Sequence, residues 1–131
     1  MAKILVVDDD LTTIALISLY LAGHGHEVTT ATNGKEALAL LHTEPFEVLI
    51  TDIIMPEMDG YDLLIRLLLQ PTRPKIIAMS AGAPDLQPRL ILDASCSLKA
   101  DATLVKPLTS DELNNTVARL LKQERTAGNE G

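Results

Sequence analysis

Cysteine is nearly absent from this sequence, since Cys96 is the single one. An internal disulfide is therefore excluded, and a cysteine-based metal cluster is not expected. Tryptophan is absent, and aromatic residues make up only 2% of the chain. The core must then be built from aliphatic side chains. An apolar fraction of 47% is sufficient for such a core and argues against a disordered chain.

Long apolar runs and an excess of basic residues are also missing. No run approaches the roughly 20 apolar residues that a membrane-spanning helix needs, and the run from Ile4 to Val7 is far too short for a signal peptide. The formal net charge is −7, which argues against a surface for nucleic acid. We therefore expect a soluble, cytoplasmic protein with neither a membrane nor a nucleic-acid partner.

The length of 131 residues fits one domain of ordinary size. We assign residues 1–123 to this domain and residues 124–131 to a polar, disordered tail. Five apolar, strand-like segments alternate with helical segments, and this alternation predicts an α/β fold with helices on both faces of a parallel sheet. The expected architecture is a doubly wound, flavodoxin-like sheet of five strands in the order 2-1-3-4-5.

Several helices can be placed from their apolar spacing and their caps. The first has apolar residues at a helical spacing and ends at two glycines, and a second runs from Asn33 to about His42. A fourth helix is expected at about 86–98, and a fifth after Thr109, where Glu112 completes a capping box. The apolar spacing of the first helix is given by Leu11, Ile14, Ala15, Leu19 and Ala22, and that of the last by Leu113, Val117, Leu120 and Leu121.

The third helix, expected from about residue 60 to 69, has more apolar residues than one buried face requires. Leu63, Leu64 and Leu67 suffice to cover the sheet, and a second stripe remains. Two interpretations stay open. Neighbouring segments cover that stripe in part, or it is an exposed surface for a partner or for self-association. The stripe consists of Ile65, Leu68 and Leu69.

Chemically active side chains follow four of the predicted strands. In a doubly wound sheet, ligands bind beyond the carboxyl ends of the strands, so these residues are expected to lie near one another. The first strand ends in Asp8, Asp9 and Asp10, the third in Asp52, the fourth in Ser80-Ala81 and the fifth in Lys106-Pro107.

Carboxylates gathered at one edge would repel one another, and a hard divalent cation such as Mg²⁺ would relieve that repulsion. A carboxylate oxygen can also act as a nucleophile towards phosphorus. Lys106 and Ser80 could then bind phosphoryl oxygens, which makes Asp52 the predicted phosphoryl acceptor. Taken one at a time, the same residues have simpler interpretations, such as a helix cap for residues 8–10 and an Asx turn for Asp52.

The motifs "ILVVDDD", "LITDIIMPEMDG", "IIAMSA" and "LVKPLT" occur in this order at suitable spacing. Together they resemble the receiver domain of the two-component response-regulator family, and in particular its stand-alone, chemotaxis-regulator-like members. Receivers are a standard example of the 2-1-3-4-5 order, so the resemblance and the strand order are one expectation. The resemblance covers nearly the whole chain.

The resemblance implies a role for each matching residue. Asp52 corresponds to the phosphorylated aspartate, Asp9 to the main Mg²⁺ ligand, and Asp8 to an acid that acts mostly through metal-bound water. Ser80 matches the switch hydroxyl, with Ala81 beside it in the cofactor-binding site. The remaining correspondences are the backbone carbonyl of Ile54, as a further metal ligand, and Lys106, as the phosphate-binding lysine in a cis peptide with Pro107.

The sequence departs from the family pattern at three places. Thr103 lies where an aromatic residue is usual, which bears on how phosphorylation would be read out. Lys99 occupies a position where glycine is usual. The segment between Ser80 and Lys106 is a few residues longer than usual, and the extra length is assigned to "GAPDLQP".

The leading hypothesis is a stand-alone receiver that signals by binding a downstream protein. A sensor histidine kinase or a phosphotransfer protein would phosphorylate Asp52 in a Mg²⁺-dependent reaction. The protein is then not an enzyme in the usual sense, although it would catalyse its own phosphotransfer and dephosphorylation. Two alternatives remain: a receiver-like interaction module that needs no phosphate, and a phosphatase with an aspartyl-phosphate intermediate. A phosphatase of that kind needs an acid at position 54, where this chain has Ile54.

Overall fold

The computed structural model describes residues 2–53, 60–70, 73–81 and 99–123. Its five strands form one sheet in the order β2-β1-β3-β4-β5, and every neighbouring pair is parallel. The predicted fold class and strand order are thereby confirmed. The strands are β1 (Lys3–Val7), β2 (Glu27–Ala31), β3 (Val48–Asp52), β4 (Lys75–Ser80) and β5 (Ala102–Val105).

Four helices lie within the described residues, and none of these four is both long and apolar enough to cross a membrane. The predicted helix at 86–98, Cys96 and the tail at 124–131 lie outside the described residues. The helices are α1 (Leu11–Ala22), α2 (Gly34–Thr43), α3 (Gly60–Leu67) and α4 (Ser110–Lys122).

Two predicted helix caps are confirmed in detail. The side chain of Asn33 accepts a hydrogen bond from the backbone N–H of Glu36 at 2.8 Å. Thr109 does the same for Glu112 at 3.1 Å, so α4 begins where the capping box predicts. In the turn after the C-terminal end of α1, Gly25 has a φ of 84°, which glycine adopts without steric cost.

The apolar side chains of the strands pack on both faces of the sheet. β3 is buried along its whole length, as expected for a strand covered on both sides. Residues alternate between the faces, so that Val48 and Ile50 contact α1 and α4, whereas Leu49 faces α2 and α3. The core therefore consists of two apolar layers, one on each side of the sheet.

The apolar spacing read in α1 marks the wrong side of that helix. Ile14, Ile17 and Leu21 are the residues that α1 buries. Of the residues in the predicted spacing, Ile14 alone is buried, and the other four are exposed. The reason is that α1 is apolar around nearly its whole circumference, so periodicity alone cannot decide which side meets the sheet.

The other two apolar helix faces agree better with the sequence. On α3, Leu63, Leu64 and Leu67 are buried as predicted. The helix ends at Leu67 and not at residue 69 as predicted, so Leu68 and Leu69 of the second stripe lie in the turn that follows it. The second stripe is exposed, with Leu69 83% accessible to solvent. On α4, the predicted core residues are buried with the exception of Leu121, which lies at the surface. Asn114 of α4 donates a hydrogen bond to the backbone carbonyl of Tyr20 at 3.3 Å and so links α4 to α1.

Candidate functional site

The parallel register of β1 and β3 brings two predicted site residues together. Val7 of β1 pairs with Thr51 of β3, so the next residues along, Asp8 and Asp52, lie side by side at the carboxyl edge of the sheet. The backbone N–H of Asp8 donates to the carbonyl of Ala31 at 3.1 Å, which extends the pairing with β2 by one residue. Both aspartates are buried. Their positions follow from the backbone pairing of β1 with β2 and β3.

The ammonium group of Lys106 joins the two carboxylates. Its Nζ lies 2.6 Å from Oδ2 of Asp8 and 2.7 Å from Oδ2 of Asp52. The side chain of Lys106 is 14% exposed, that of Asp8 0% and that of Asp52 9%. The backbone N–H of Lys106 donates to the carbonyl of Ser80 at 3.1 Å, and the Lys106-Pro107 peptide is cis, as the resemblance implied.

Burial and pairing act in opposite directions on the pKa of Lys106. Burial of the ammonium lowers the pKa, but the hydrogen bonds and charges of Asp52 and Asp8 outweigh that effect, so the pKa lies above its ordinary value. Lys106 therefore remains protonated at neutral pH. A permanently charged donor at this position can bind an anionic oxygen as well as a carboxylate.

Asp9 completes a group of three acids. Carboxylate oxygens of Asp8, Asp9 and Asp52 all lie within 4.8 Å of one another, and Asp9 is the exposed member. Three carboxylates against one ammonium leave an excess of two negative charges, which a divalent cation would balance. Hard oxygen ligands with one exposed acid fit Mg²⁺, which keeps several water ligands when it binds.

The neighbouring acid, Asp10, is the N-cap of α1. Its carboxylate accepts hydrogen bonds from the backbone N–H of Thr12 and the hydroxyl of Thr13, both at 3.0 Å, and so caps α1. These bonds lower the pKa of Asp10, with the Thr13 hydroxyl as the larger cause. Its backbone N–H also donates to Oδ1 of Asp8 at 2.9 Å, which orients the Asp8 carboxylate. The helix-cap interpretation thus holds for Asp10 alone.

Of the remaining site residues singled out from the sequence, the structure describes all but one. Ser80, at the end of β4, is buried and pairs with Val105 of β5, and Ala81 follows it. Thr103 lies in β5 opposite Ala78 of β4. The predicted metal ligand Ile54 lies outside the described residues.

A cleft beside Lys106 was not anticipated from the sequence. It has a volume of about 320 Å³ and opens between α1 and the segment that follows β5. Leu16, Tyr20 and Leu108 supply apolar walls, and Lys106 and Ala81 connect the cleft to the acidic group. No sequence motif marks such a cleft, because its walls come from segments that are distant in the chain.

Comparison with known proteins gives a consistent result. The family model described as "Response regulator receiver domain" matches residues 4–118. The chain is 31% identical over 125 residues to the alkaline phosphatase synthesis transcriptional regulatory protein PhoP of Bacillus subtilis, which covers 95% of this chain and 50% of that protein. It is 32% identical over 126 residues to the response regulator SaeR of Staphylococcus aureus, with 93% and 53% covered. The chain thus spans about half the length of these relatives.

Solved structures show the same similarity in three dimensions. The chemotaxis response regulator CheY4 of Vibrio cholerae superposes with a TM-score of 0.81 at 31% identity, covering 92% of this chain and 98% of that one. The response regulator protein TrrA of Thermotoga maritima, solved in complex with Mg²⁺ and BeF, gives a TM-score of 0.79 at 32% identity, with 92% and 99% covered. In contrast to the curated relatives, these chains match along nearly their whole length.

Proposed function

Because this chain belongs to the response regulator receiver family, we propose that it accepts a phosphoryl group on Asp52 from a histidine kinase or a phosphotransfer protein. The observation that supports this most directly is the contact between Asp52 and Lys106, 2.7 Å apart at the carboxyl edge of the sheet. A buried carboxylate held by a buried ammonium, beside two further acids, is an arrangement suited to phosphoryl transfer.

Asp52 would act as the nucleophile. One of its carboxylate oxygens forms a bond to phosphorus while the bond from phosphorus to the histidine nitrogen of the donor breaks, and the electron pair of that bond stays on the nitrogen. Its position at the end of β3, a fully buried strand, fixes the direction from which phosphorus must approach. The chain contributes mainly by positioning, since phosphoryl transfer needs little other covalent chemistry from the protein.

Lys106 would bind the phosphoryl oxygens as negative charge accumulates on them. It is already charged and already within 2.7 Å of the acceptor, so little rearrangement is required. Ser80, at the tip of the neighbouring strand, is the proposed switch hydroxyl, and Ala81, the next residue, lines the cleft beside Lys106. The link from the Lys106 N–H to the Ser80 carbonyl connects these two groups through the backbone.

Asp8, Asp9 and Asp52 are the described residues that would hold Mg²⁺, and the resemblance adds the carbonyl of Ile54. The bound cation would supply charge neutralisation for the phosphoryl oxygens and the carboxylates. Asp8 also holds Lys106, so it would serve the site even without direct contact with the metal. Asp9 is exposed and is therefore the acid most accessible to a cation from solution.

The phosphorylated domain would signal through a downstream protein. The exposed stripe at the C-terminal end of α3 and in the turn after it, formed by Ile65, Leu68 and Leu69, is one apolar surface available to such a partner. The curated relatives are about twice as long as the matched chain, and some are transcriptional regulators by name. The absence of a nucleic-acid partner and the stand-alone character therefore remain predictions for this protein.

A phosphodonor assay tests the proposal. Acetyl phosphate with Mg²⁺ should add one phosphoryl group to the chain, detected by mass spectrometry. The substitution Asp52→Asn should abolish the addition, because an amide is a poor nucleophile. Asp111→Asn, on the exposed side of α4, is the matched control and should leave labelling unchanged. Labelling that persists in Asp52→Asn would refute the assignment, and an unlabelled wild type would favour an interaction module that needs no phosphate.

A further inference from the structure

Thr51 is a polar residue in an otherwise apolar layer, and it is completely buried. Because side chains alternate along a strand, it shares its face of β3 with Leu49 and Ile53. On the adjacent strands it pairs with Val7 of β1 and Ala78 of β4. All four neighbours belong to one apolar cluster. Burial of a hydroxyl is unfavourable unless the group forms a hydrogen bond, so the bond that Thr51 makes determines what it contributes.

The hydroxyl of Thr51 is bonded to the backbone of the proposed phosphoryl acceptor. Its Oγ1 donates to the backbone carbonyl of Asp52 at 2.9 Å, and this bond is buried. The N–H of the same peptide group belongs to Ile53 and donates to the carbonyl of Met79 in β4 at 3.1 Å. Both polar atoms of the peptide group between Asp52 and Ile53 are therefore held, one by a side chain and one by the neighbouring strand.

This peptide group lies at the point where β3 ends. Asp52 is the last residue of the strand, and the chain bends at Ile53. The peptide group before Asp52 belongs to the paired part of the sheet, and the one after it is held by the two bonds just described. The Cα atom of Asp52 thus lies between two fixed peptide groups. The direction in which its carboxylate leaves the backbone is fixed as a result.

We propose that Thr51 is a positioning residue for the phosphorylation of Asp52, an inference that rests on the function proposed above. Its hydroxyl faces the apolar layer and acts through the backbone, not on the phosphoryl group. The bond keeps the Asp52 carboxylate 2.7 Å from Nζ of Lys106 and within the acidic group that includes Asp8 and Asp9. A displacement of about 1 Å can slow a reaction by about a hundredfold, so one hydrogen bond behind the acceptor can influence the rate.

Two substitutions separate this role from simple packing in the core. Thr51→Val keeps the branched shape and removes the hydroxyl, whereas Thr51→Ser keeps the hydroxyl and removes a methyl group. Both should lower the temperature of thermal unfolding, since one removes a buried hydrogen bond and the other leaves a small cavity. If Thr51 only stabilised the core, phosphorylation would respond to both changes according to the stability that each one removes.

Phosphorylation by acetyl phosphate with Mg²⁺, followed over a range of donor concentrations at a temperature where every variant is folded, tests the proposal. Thr51→Val should lower the maximal rate by about tenfold, because the acceptor is then less well positioned. The half-saturating donor concentration should stay nearly unchanged, since Thr51 does not face the donor. Thr51→Ser should keep a maximal rate close to that of the wild type, even though it too lowers stability.

Thr116 of α4 provides the matched control. It is buried, and its hydroxyl also donates to a backbone carbonyl, that of Glu112 at 2.8 Å, but this bond lies within the helix. Thr116→Val therefore removes the same kind of bond without touching the backbone of Asp52. It should leave both the maximal rate and the half-saturating donor concentration unchanged.

Mg²⁺ binding, measured by isothermal titration calorimetry, distinguishes this inference from the proposed function. Because Asp52 belongs to the candidate metal site, Thr51→Val should weaken Mg²⁺ binding and Thr51→Ser should not. That pattern supports the positioning role even if the wild type takes up no phosphoryl group, a result that would refute the proposed function alone. The positioning role is overturned if Thr51→Val equals the wild type in both rate and Mg²⁺ affinity, or if Thr51→Ser or Thr116→Val slows phosphorylation as much as Thr51→Val does.

Discussion

The two ends of the sheet hold ion pairs of the same length in very different surroundings. At the carboxyl end, Lys106 lies 2.6 Å from Asp8 and 2.7 Å from Asp52, and all three side chains are largely buried. At the amino end, Lys3 lies 2.6 Å from Glu44, but these side chains are 27% and 38% exposed. Distance therefore does not distinguish the two ends of the sheet, whereas burial of the paired side chains does.

Burial changes what each pair contributes. An exposed pair is screened by water, and its Coulomb energy is offset by the cost of ordering two long side chains. A buried group of charges has lost its hydration, so removing one member leaves the others without compensation. The carboxyl end of the sheet also has three carboxylates beside one ammonium group. This excess of negative charge would favour a bound cation, alone or together with an anion.

Substitution of Lys106 should show the difference between the two ends of the sheet most clearly. Lys106→Met leaves Asp8 and Asp52 buried without an ammonium, and it should lower the free energy of unfolding by about 3 kcal/mol without Mg²⁺. It should also slow phosphorylation by about a hundredfold. Lys3→Met is the matched control and should change neither quantity measurably. Denaturant unfolding followed by circular dichroism measures stability, and equal losses in the two variants would contradict the comparison.

The acids of the carboxyl end should differ in their effect on metal binding. Asp9→Ala should weaken Mg²⁺ binding by about tenfold or more, since even an indirect partner of a metal can contribute that much. Asp10→Ala should have little effect, because the Asp10 carboxylate caps α1. Isothermal titration calorimetry measures both affinities. Equal losses would contradict the distinction between Asp9 as a metal ligand and Asp10 as a helix cap.

At the amino end, a backbone effect should exceed any effect of charge. Lys99 precedes β5 and has a φ of 70°, in the left-handed region that disfavours side chains. Lys99→Gly should therefore raise the free energy of unfolding by about 1 kcal/mol. Lys35→Gly, in the first turn of α2, should change stability in the opposite direction, because glycine disfavours a helix. A loss of stability in Lys99→Gly would show that its side chain contributes more than its backbone costs.

The smallest expected effect is a pH dependence at the same end. Nδ1 of His26 accepts a hydrogen bond from the backbone N–H of Ala2 at 3.1 Å. Burial lowers the pKa of His26, and the charge of His24 lowers it further. The unfolded chain therefore takes up the proton first, so the contribution of His26 is complete above about pH 6.5 and is lost as the pH falls towards the folded pKa.

Thermal unfolding between neutral and mildly acidic pH measures this contribution. His26→Asn should reduce the loss of stability on acidification, whereas His24→Asn, at an exposed position, should reduce it less. If both variants lose stability with pH as the wild type does, the dependence originates elsewhere in the chain.

The sequence predicts the carboxyl end of the sheet better than it predicts the helix surfaces. Asp8, Asp52, Ser80 and Lys106 were identified because each directly follows or ends an apolar strand, and parallel strands bring such ends together. The caps at Asn33 and Thr109 depend on neighbouring residues alone, so they too could be predicted.

Other features depend on tertiary contacts that no local pattern contains. The buried side of α1 could not be predicted from the sequence, because two sides of this helix are apolar. Which of them is buried depends on how the helix packs against the sheet. The bond from Lys106 to Asp8, in addition to Asp52, required the positions of three strands. Lys99 was recognised as a departure from the family pattern, but its left-handed backbone became visible only in the structure.

The bond between Lys106 and Asp8 spans 98 residues of sequence, and that between Lys106 and Asp52 spans 54. The site therefore comes into existence only when β1, β3 and the segment after β5 have all been assembled. A chain still emerging from the ribosome, or one whose last strand has detached from the sheet, has no ammonium group beside Asp52. Under the proposed function, phosphorylation of Asp52 would therefore require a completely folded chain, and an incompletely folded copy would not be phosphorylated.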